Sequence, residues 1–201
     1  MMVKWSRYRV PLRRRREHKT DYQARKAFVV SGKPRLVARC SLKNAVAQIV
    51  SAKPNGDEVL ASAHSRELIK SFGWKAATGN TPAAYLTGYL CGLRAKEKGV
   101  SEAILDIGLV FPTKGSKVFT ILQGVVDAGI EMPYDKEKIV ESRLKGDHIV
   151  KYAKSLGEPE TYAPKFSKLL ERKLQPEKIS EHFTMVKTEI TNSFKSGGTK
   201  E

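Results

Sequence analysis

From Arg35 to His64 the chain reads RLVARCSLKNAVAQIVSAKPNGDEVLASAH. The first seven residues alternate, placing Leu36, Ala38 and Cys40 on one face of an extended strand and Arg35, Val37, Arg39 and Ser41 on the other. Residues 45–52 form a second β-prone run, and Lys53-Pro54-Asn55-Gly56-Asp57 separates it from a third, residues 58–64. Asn-Gly between two such runs signals a hairpin, because these residues accept the positive φ that a tight turn demands. Three sequential antiparallel strands are expected.

Downstream the spacing becomes helical. Thr81 is suited to cap a helix and Pro82 to its first position, after which Ala83, Leu86, Leu90 and Leu93 trace one face. Gly88 and Gly92, one turn apart, are expected to let this helix lie close on the sheet. Residues 102–109 are largely apolar around Asp106, the pattern of a buried strand. Pro112-Thr113-Lys114-Gly115 reads as a loop, and Ser116 as the cap of a second helix facing inward through Val118, Ile121 or Leu122, Val125 and Ala128. The order βββαβα predicts a mixed α/β (α+β) domain over residues 35–132, a small mixed sheet with flanking helices.

Residues 133–201 read as a helical C-terminal extension. Ile179, Phe183, Val186, Ile190 and Phe194 form one apolar stripe, expected to pack on the domain or on a neighbouring protein. Residues 136–156 and 166–174 are weaker helical segments, with breaks at Gly157, Pro159 and Pro164 and a frayed end over 196–201.

Upstream, residues 1–34 show little apolar periodicity and are expected to form an arm, extended or partly helical, that orders on binding. The chain carries a net charge of +16, and its distribution is uneven. Residues 1–43 hold fourteen Lys and Arg against Glu17 and Asp21 alone, a net of +12 that leaves only +4 for the rest. Nine of the thirteen arginines fall in this segment, while nineteen of the twenty-four lysines lie beyond it. Arginine is a planar fork that grips phosphate bidentately and stacks on bases, whereas lysine keeps a surface hydrated. Trp5, Tyr8, Tyr22 and Phe28 are interleaved with the cations as stacking faces. A basic run is ordinarily a solvated tail, but this combination points to nucleic acid. Arg35 and Arg39, with Lys43 nearby, either extend that basic surface onto the sheet or are edge residues whose stems snorkel, and spacing leaves both open.

Other chemistries find little footing. No stretch approaches the roughly 20 apolar residues of a membrane span, and the first residues lack the apolar centre of a signal peptide. Cys40 and Cys91 stand apart, so neither a disulfide nor a zinc site is expected. Neither metal nor cofactor is expected. Gly115-Ser116-Lys117 at a helix start lacks the frame of a nucleotide-binding loop and reads as a cap. His18, His64, His148 and His182 form no spaced ligand pair. Asp106 alone hints at an acid-based site, as in an RNase-H-like nuclease, but such enzymes need several converging carboxylates. A buried, hydrogen-bonded aspartate is the better reading, and no enzyme is expected. Composition by itself also allows a general, chromatin-like nucleic-acid binder.

Blocks along the chain bear a wider likeness. The segment YRVPLRRRREHKTDY from Tyr8 to Tyr22, then GKPRLVAR from Gly32, LASAHS from Leu60, GNTPAAYLTG from Gly79, LDIGL from Leu105 and PTKGSKVF from Pro112 resemble, in order, the family of archaeal large-subunit ribosomal protein L-eighteen, numbered five in eukaryotes. The resemblance implies a structural constituent of the cytoplasmic ribosome that binds 5S rRNA and helps attach it to 23S rRNA in the central protuberance. Neighbouring large-subunit proteins would be its other partners, with no homo-oligomer and no membrane. It also implies that the arm and the adjoining sheet face meet RNA, through Arg13, Arg14, Arg15, Arg16, Lys19, Tyr22, Arg25, Lys26, Lys33, Arg35, Arg39 and Lys43. His18 and Cys40 depart from the family pattern, and the stretch after roughly residue 135 matches it loosely.

Overall fold

The computed structural model describes residues 9–157 and 159–197. Strands β1 (Arg35–Cys40), β2 (Ala45–Lys53) and β3 (Gly56–His64) form an antiparallel meander, and β4 (Ile104–Asp106) adds parallel to β1, giving the sheet order β3-β2-β1-β4. The hairpin is where the sequence places it, but Lys53 pairs with Gly56, so Pro54-Asn55 rather than Asn-Gly spans the turn. Gly56, at φ 132, opens β3 instead of closing the loop. The β4 strand is shorter than its apolar run suggests, because Gly108 takes φ 66 and turns the chain out of the ladder.

Alternation along the strands sends Leu36, Ala38, Ala47, Ile49, Ala61 and Ala63 to one face, all buried. Two helices cover that face: α4 (Thr81–Glu97) over β2 and β3, and α5 (Lys117–Asp127) over β1. The α4 cap is Asn80, one residue before the expected Thr81; its side chain accepts from Ala83 N at 2.9 Å. Every α4 residue from Pro82 to Gly92 is buried. Gly88 and Gly92 do permit close approach, but to α5 rather than to the sheet. A Cβ on Gly88 would stand 2.1 Å from Ile121 O, and one on Gly124 would stand 2.3 Å from Tyr85 O. Both Ile121 and Leu122 are buried, and Ser116 caps α5 through Val118 N. The cap reading of Gly115-Ser116-Lys117 fits this geometry, since Lys117 Nζ donates to Ser41 O and Gly79 O.

Between β3 and α4 lies α3 (Ser65–Phe72), absent from the βββαβα reading. It carries a capping box: His64 Nδ1 accepts from Arg66 N, Glu67 accepts from His64 N, and Gly73 ends the helix at φ 60. After α5 the chain makes a helical turn, α6 (Glu141–Leu144), and a short helix, α7 (Asp147–Ser155), parted by Gly146 at φ 90. Pro159 starts α8 (Pro159–Glu171) rather than breaking a helix, and Pro164 lies inside it with non-helical backbone at Phe166.

Helix α9 (Ile179–Gly197) carries the predicted stripe: Ile179, Phe183, Val186 and Ile190 are buried in the same core as the sheet and α4. Each contributes about 1.5–3 kcal/mol on apolar burial. Polar pins set the register. Lys187 Nζ lies over the rings of Tyr85 and Tyr89 and donates to Tyr85 OH, which in turn donates to Asp127. Burial, with the Asp127 carboxylate beside it, pushes the Tyr85 phenol up, so it remains the donor.

His182 supplies a second pin. Its ring stacks on buried Trp74 with centroids 5.1 Å apart, and Nε2 accepts from Lys75 N at 3.0 Å. Burial, then the Lys75 ammonium, hold the imidazole below its ordinary value. His148 is lowered too, by burial and then Arg143. The unfolded chain therefore takes up these protons first, so the stabilisation is complete above about pH 6.5 and is lost as pH falls below it. The melting temperature should drop between about pH 7 and pH 5. His182→Gln should flatten part of that drop, and an unaltered profile would show that His182 does not titrate in this range.

Candidate nucleic-acid interface

The arm is helical where it is described. Leu12 O accepts from Arg15 N and Arg16 N, starting the turn α1 (Arg13–Arg16), whose four arginines are all exposed. Lys19 N donates back to Arg14 O and His18 N to Arg15 O, closing the turn in a Schellman pattern with His18 at φ 49. Glycine ordinarily fills that left-handed position, which is why a histidine there departs from expectation. The chain reverses, Arg14 Nε donates to Thr20 Oγ1 at 2.8 Å, and Asp21 caps α2 (Tyr22–Val30) through Gln23 N and Ala24 N.

Helix α2 buries no residue completely. It sits over the sheet face opposite the core, and the two enclose a cleft of about 530 Å³ that includes Arg14, Lys19, Arg25, Phe28 and Arg39. Two carboxylates organise its floor. Asp57 Oδ2 accepts from Arg25 at 2.9 Å and from Arg35 at 2.8 Å. Asp106 accepts from Arg35 at 3.1 Å, from Arg39 at 3.2 Å and from Gly108 N at 2.8 Å. Three guanidinium groups thus meet two carboxylates, leaving a net of one positive charge within this network.

The sequence-picked residues divide accordingly. Arg13, Arg14, Arg15 and Arg16 project together from one turn, with Lys19 beside them and paired to Glu17 at 2.8 Å. Arg13 has only a long 3.9 Å approach to Glu17. Tyr22 is half-buried and Lys26 exposed on α2. Lys33, where the chain enters β1, pairs with Glu102. Arg35 has a side chain only 5% exposed, held between Asp57 and Asp106. Arg39 is 46% exposed, its Nη1 donating to Asp106 O and Ala38 O. Arg35 is not an edge residue, because β1 pairs there with both β2 and β4, whereas at Arg39 β1 pairs with β2 alone. Lys43 stands apart, on the β1–β2 turn at the other end of the strand. Trp5 and Tyr8 lie outside the described residues.

Asp57 is the residue of this network that the sequence did not single out, whereas Asp106 is the buried, hydrogen-bonded aspartate expected from it. Asp57 reads as a turn residue, and its link to Arg25 spans 32 positions. The oxygens of Asp106 are occupied by two guanidinium groups and an amide, the structural role the sequence favoured over a nuclease site.

A family model described as "Ribosomal large subunit proteins 60S L5, and 50S L18" matches residues 6–103 and 94–135, taking in the arm, the sheet, α4 and α5. The chain belongs to this family of large-subunit ribosomal proteins. Its relatives extend the match through the tail. Large ribosomal subunit protein uL18 of Caldivirga maquilingensis is 50% identical over 196 residues, covering 96% of this chain and 95% of that protein. The uL18 of Aeropyrum pernix is 51% identical over 197 residues (96% and 92%). That of Sulfurisphaera tokodaii is 49% identical over 193 residues (95% and 96%). The match to these relatives thus extends into α9, beyond the point where the family model ends.

Proposed function

We propose that this chain is an RNA-binding structural constituent of the large ribosomal subunit, in the cytoplasm, whose arm grips 5S rRNA and helps fasten it to 23S rRNA, with neighbouring subunit proteins as its other contacts. The observation that carries this reading is the turn of four exposed arginines, closed by the His18 reversal and set against the sheet through Arg25 and Asp57. Phosphate contacts supply affinity and register, while RNA shape and unpaired bases supply selectivity. Arg13–Arg16, Lys19, Lys26 and Arg39 are the cations placed to reach phosphate, with Tyr22 as a stacking face. Arg35 acts from beneath, fixing the floor on which the arm rests.

If about six cations displace counterions, log affinity should fall against log salt with a slope of roughly −4 to −5. Competition at physiological salt tests the RNA assignment: folded 5S rRNA should displace the labelled complex far better than duplex DNA. Equal competition would make the protein a general nucleic-acid binder instead. Arg14→Ala, which also removes the Thr20 tether, should weaken binding severalfold for any RNA sequence and reduce the salt slope by about 1. A loss confined to one base identity would mean direct base readout.

A further inference from the structure

A second basic surface lies away from the arm. An open groove of about 510 Å³ is lined by Leu42, Lys43, Lys75, Thr78, Lys168 and Arg172 among others, and no carboxylate is among its lining residues. All four cations are exposed, and none forms an ion pair with a described residue. The arm cleft differs: Asp21, Asp57 and Asp106 line it.

Its framework is fixed by hydrogen bonds between distant segments. Thr78 Oγ1 donates to Lys43 O at 2.5 Å, and Lys117 Nζ ties Ser41 O to Gly79 O. Arg172 Nη1 donates to Lys75 O at 3.3 Å and to Ala76 O at 3.2 Å, which seats the end of α8 against the loop after α3. The sequence thus gathers four positive charges from three remote segments and leaves them mutually repelling. Bringing like charges together without a counter-charge is unfavourable in the free protein and becomes favourable against a polyanion.

We propose that this groove binds the phosphate backbone of a second RNA segment, distinct from the one held by the arm. The inference rests on the ribosomal reading above. Arg39, the arm-side cation nearer the groove, is paired to Asp106, and from Arg35, where the arm docks, to Cys40 is five strand steps, about 17 Å, with Lys43 beyond. That exceeds the Debye length of about 8 Å at physiological salt, so the two surfaces act as separate electrostatic sites. Leu42, 96% exposed at the rim, gives the groove an apolar lip able to lie against a sugar or base face. One protein would then bridge two RNA elements, and Lys43 belongs with the groove.

The test uses the full chain carrying Lys75→Gln, Lys168→Gln and Arg172→Gln, with 5S and 23S rRNA transcripts as separate probes. Affinity for the 23S transcript should fall about tenfold, with a salt slope shallower by about 2. Affinity for 5S rRNA should stay within twofold, and the melting temperature should fall by no more than a few degrees, since Arg172→Gln also removes the hydrogen bonds to Lys75 O and Ala76 O. Unaltered 23S affinity overturns the proposal, as does an equal loss on both probes, which would mean one shared site. Poly-glutamate displacing the 23S transcript as well as poly(U) does would make an acidic protein segment the occupant and overturn the RNA assignment. A parallel variant with Arg13, Arg14, Arg15 and Arg16 changed to Gln separates the two readings. If it keeps full 5S affinity, the arm assignment fails while the groove comparison stands.

Discussion

Replacing Asp106 with alanine is expected to destabilise the protein by about 3–5 kcal/mol, the usual consequence of removing one partner from a buried ion pair. Asp106 is 7% exposed and faces Arg35, itself buried in the middle of the sheet. Without the carboxylate, Arg35 keeps only Asp57, which it already shares with Arg25. Gly108 N loses its acceptor, and Arg39 loses one of the contacts that hold it across the sheet face. For a chain of this size the melting temperature should fall by roughly 6–20 °C. Asp106→Asn keeps an oxygen for Gly108 N but abolishes the charge, so it should fall between wild type and alanine. Chemical denaturation checks both, and an alanine variant within about 1 kcal/mol of wild type would show that the guanidinium groups find other counter-charges.

This network also marks where the sequence stopped being informative. Alternation in residues 35–41 places Arg35 and Arg39 on one face, and the structure agrees. Whether that face met RNA or carboxylates depended on residues 22 and 71 positions away, which no local pattern encodes. Gly88 and Gly92 announce a close approach but not the element approached; the answer lay in Gly124 on the facing helix. Asn80 over Thr81 is a shift of one residue between adjacent side chains that can both cap, and Pro54-Asn55 over Asn-Gly is a shift of one residue within the same turn. The missed α3 did leave a signal, Glu67 three residues after His64 and Gly73 at the end, but histidine is an unusual cap. The stripe on α9 was fully legible because five residues at helical spacing leave one face, and the core supplied its partner.

Deleting residues 1–30 is expected to leave a folded domain whose 5S rRNA affinity is lower by at least about a hundredfold at physiological salt. The fold should survive because α1 and α2 contribute no fully buried residue. The tie that is lost, Arg25 to Asp57, is half-exposed on both sides, a pair worth about 1 kcal/mol or less. Asp57 stays neutralised by Arg35, so no buried charge is orphaned. Binding, by contrast, loses the Arg13–Arg16 turn, Lys19 and Lys26 together. Loss of six cations should flatten the salt slope by about 4 for single-stranded contacts, far more than the loss of Arg14 alone. Circular dichroism and a melting curve should show the folded domain within a few degrees of the full chain. Unchanged affinity in a gel shift would sink the arm as the gripping element and move RNA recognition onto the sheet face and the Lys43 groove.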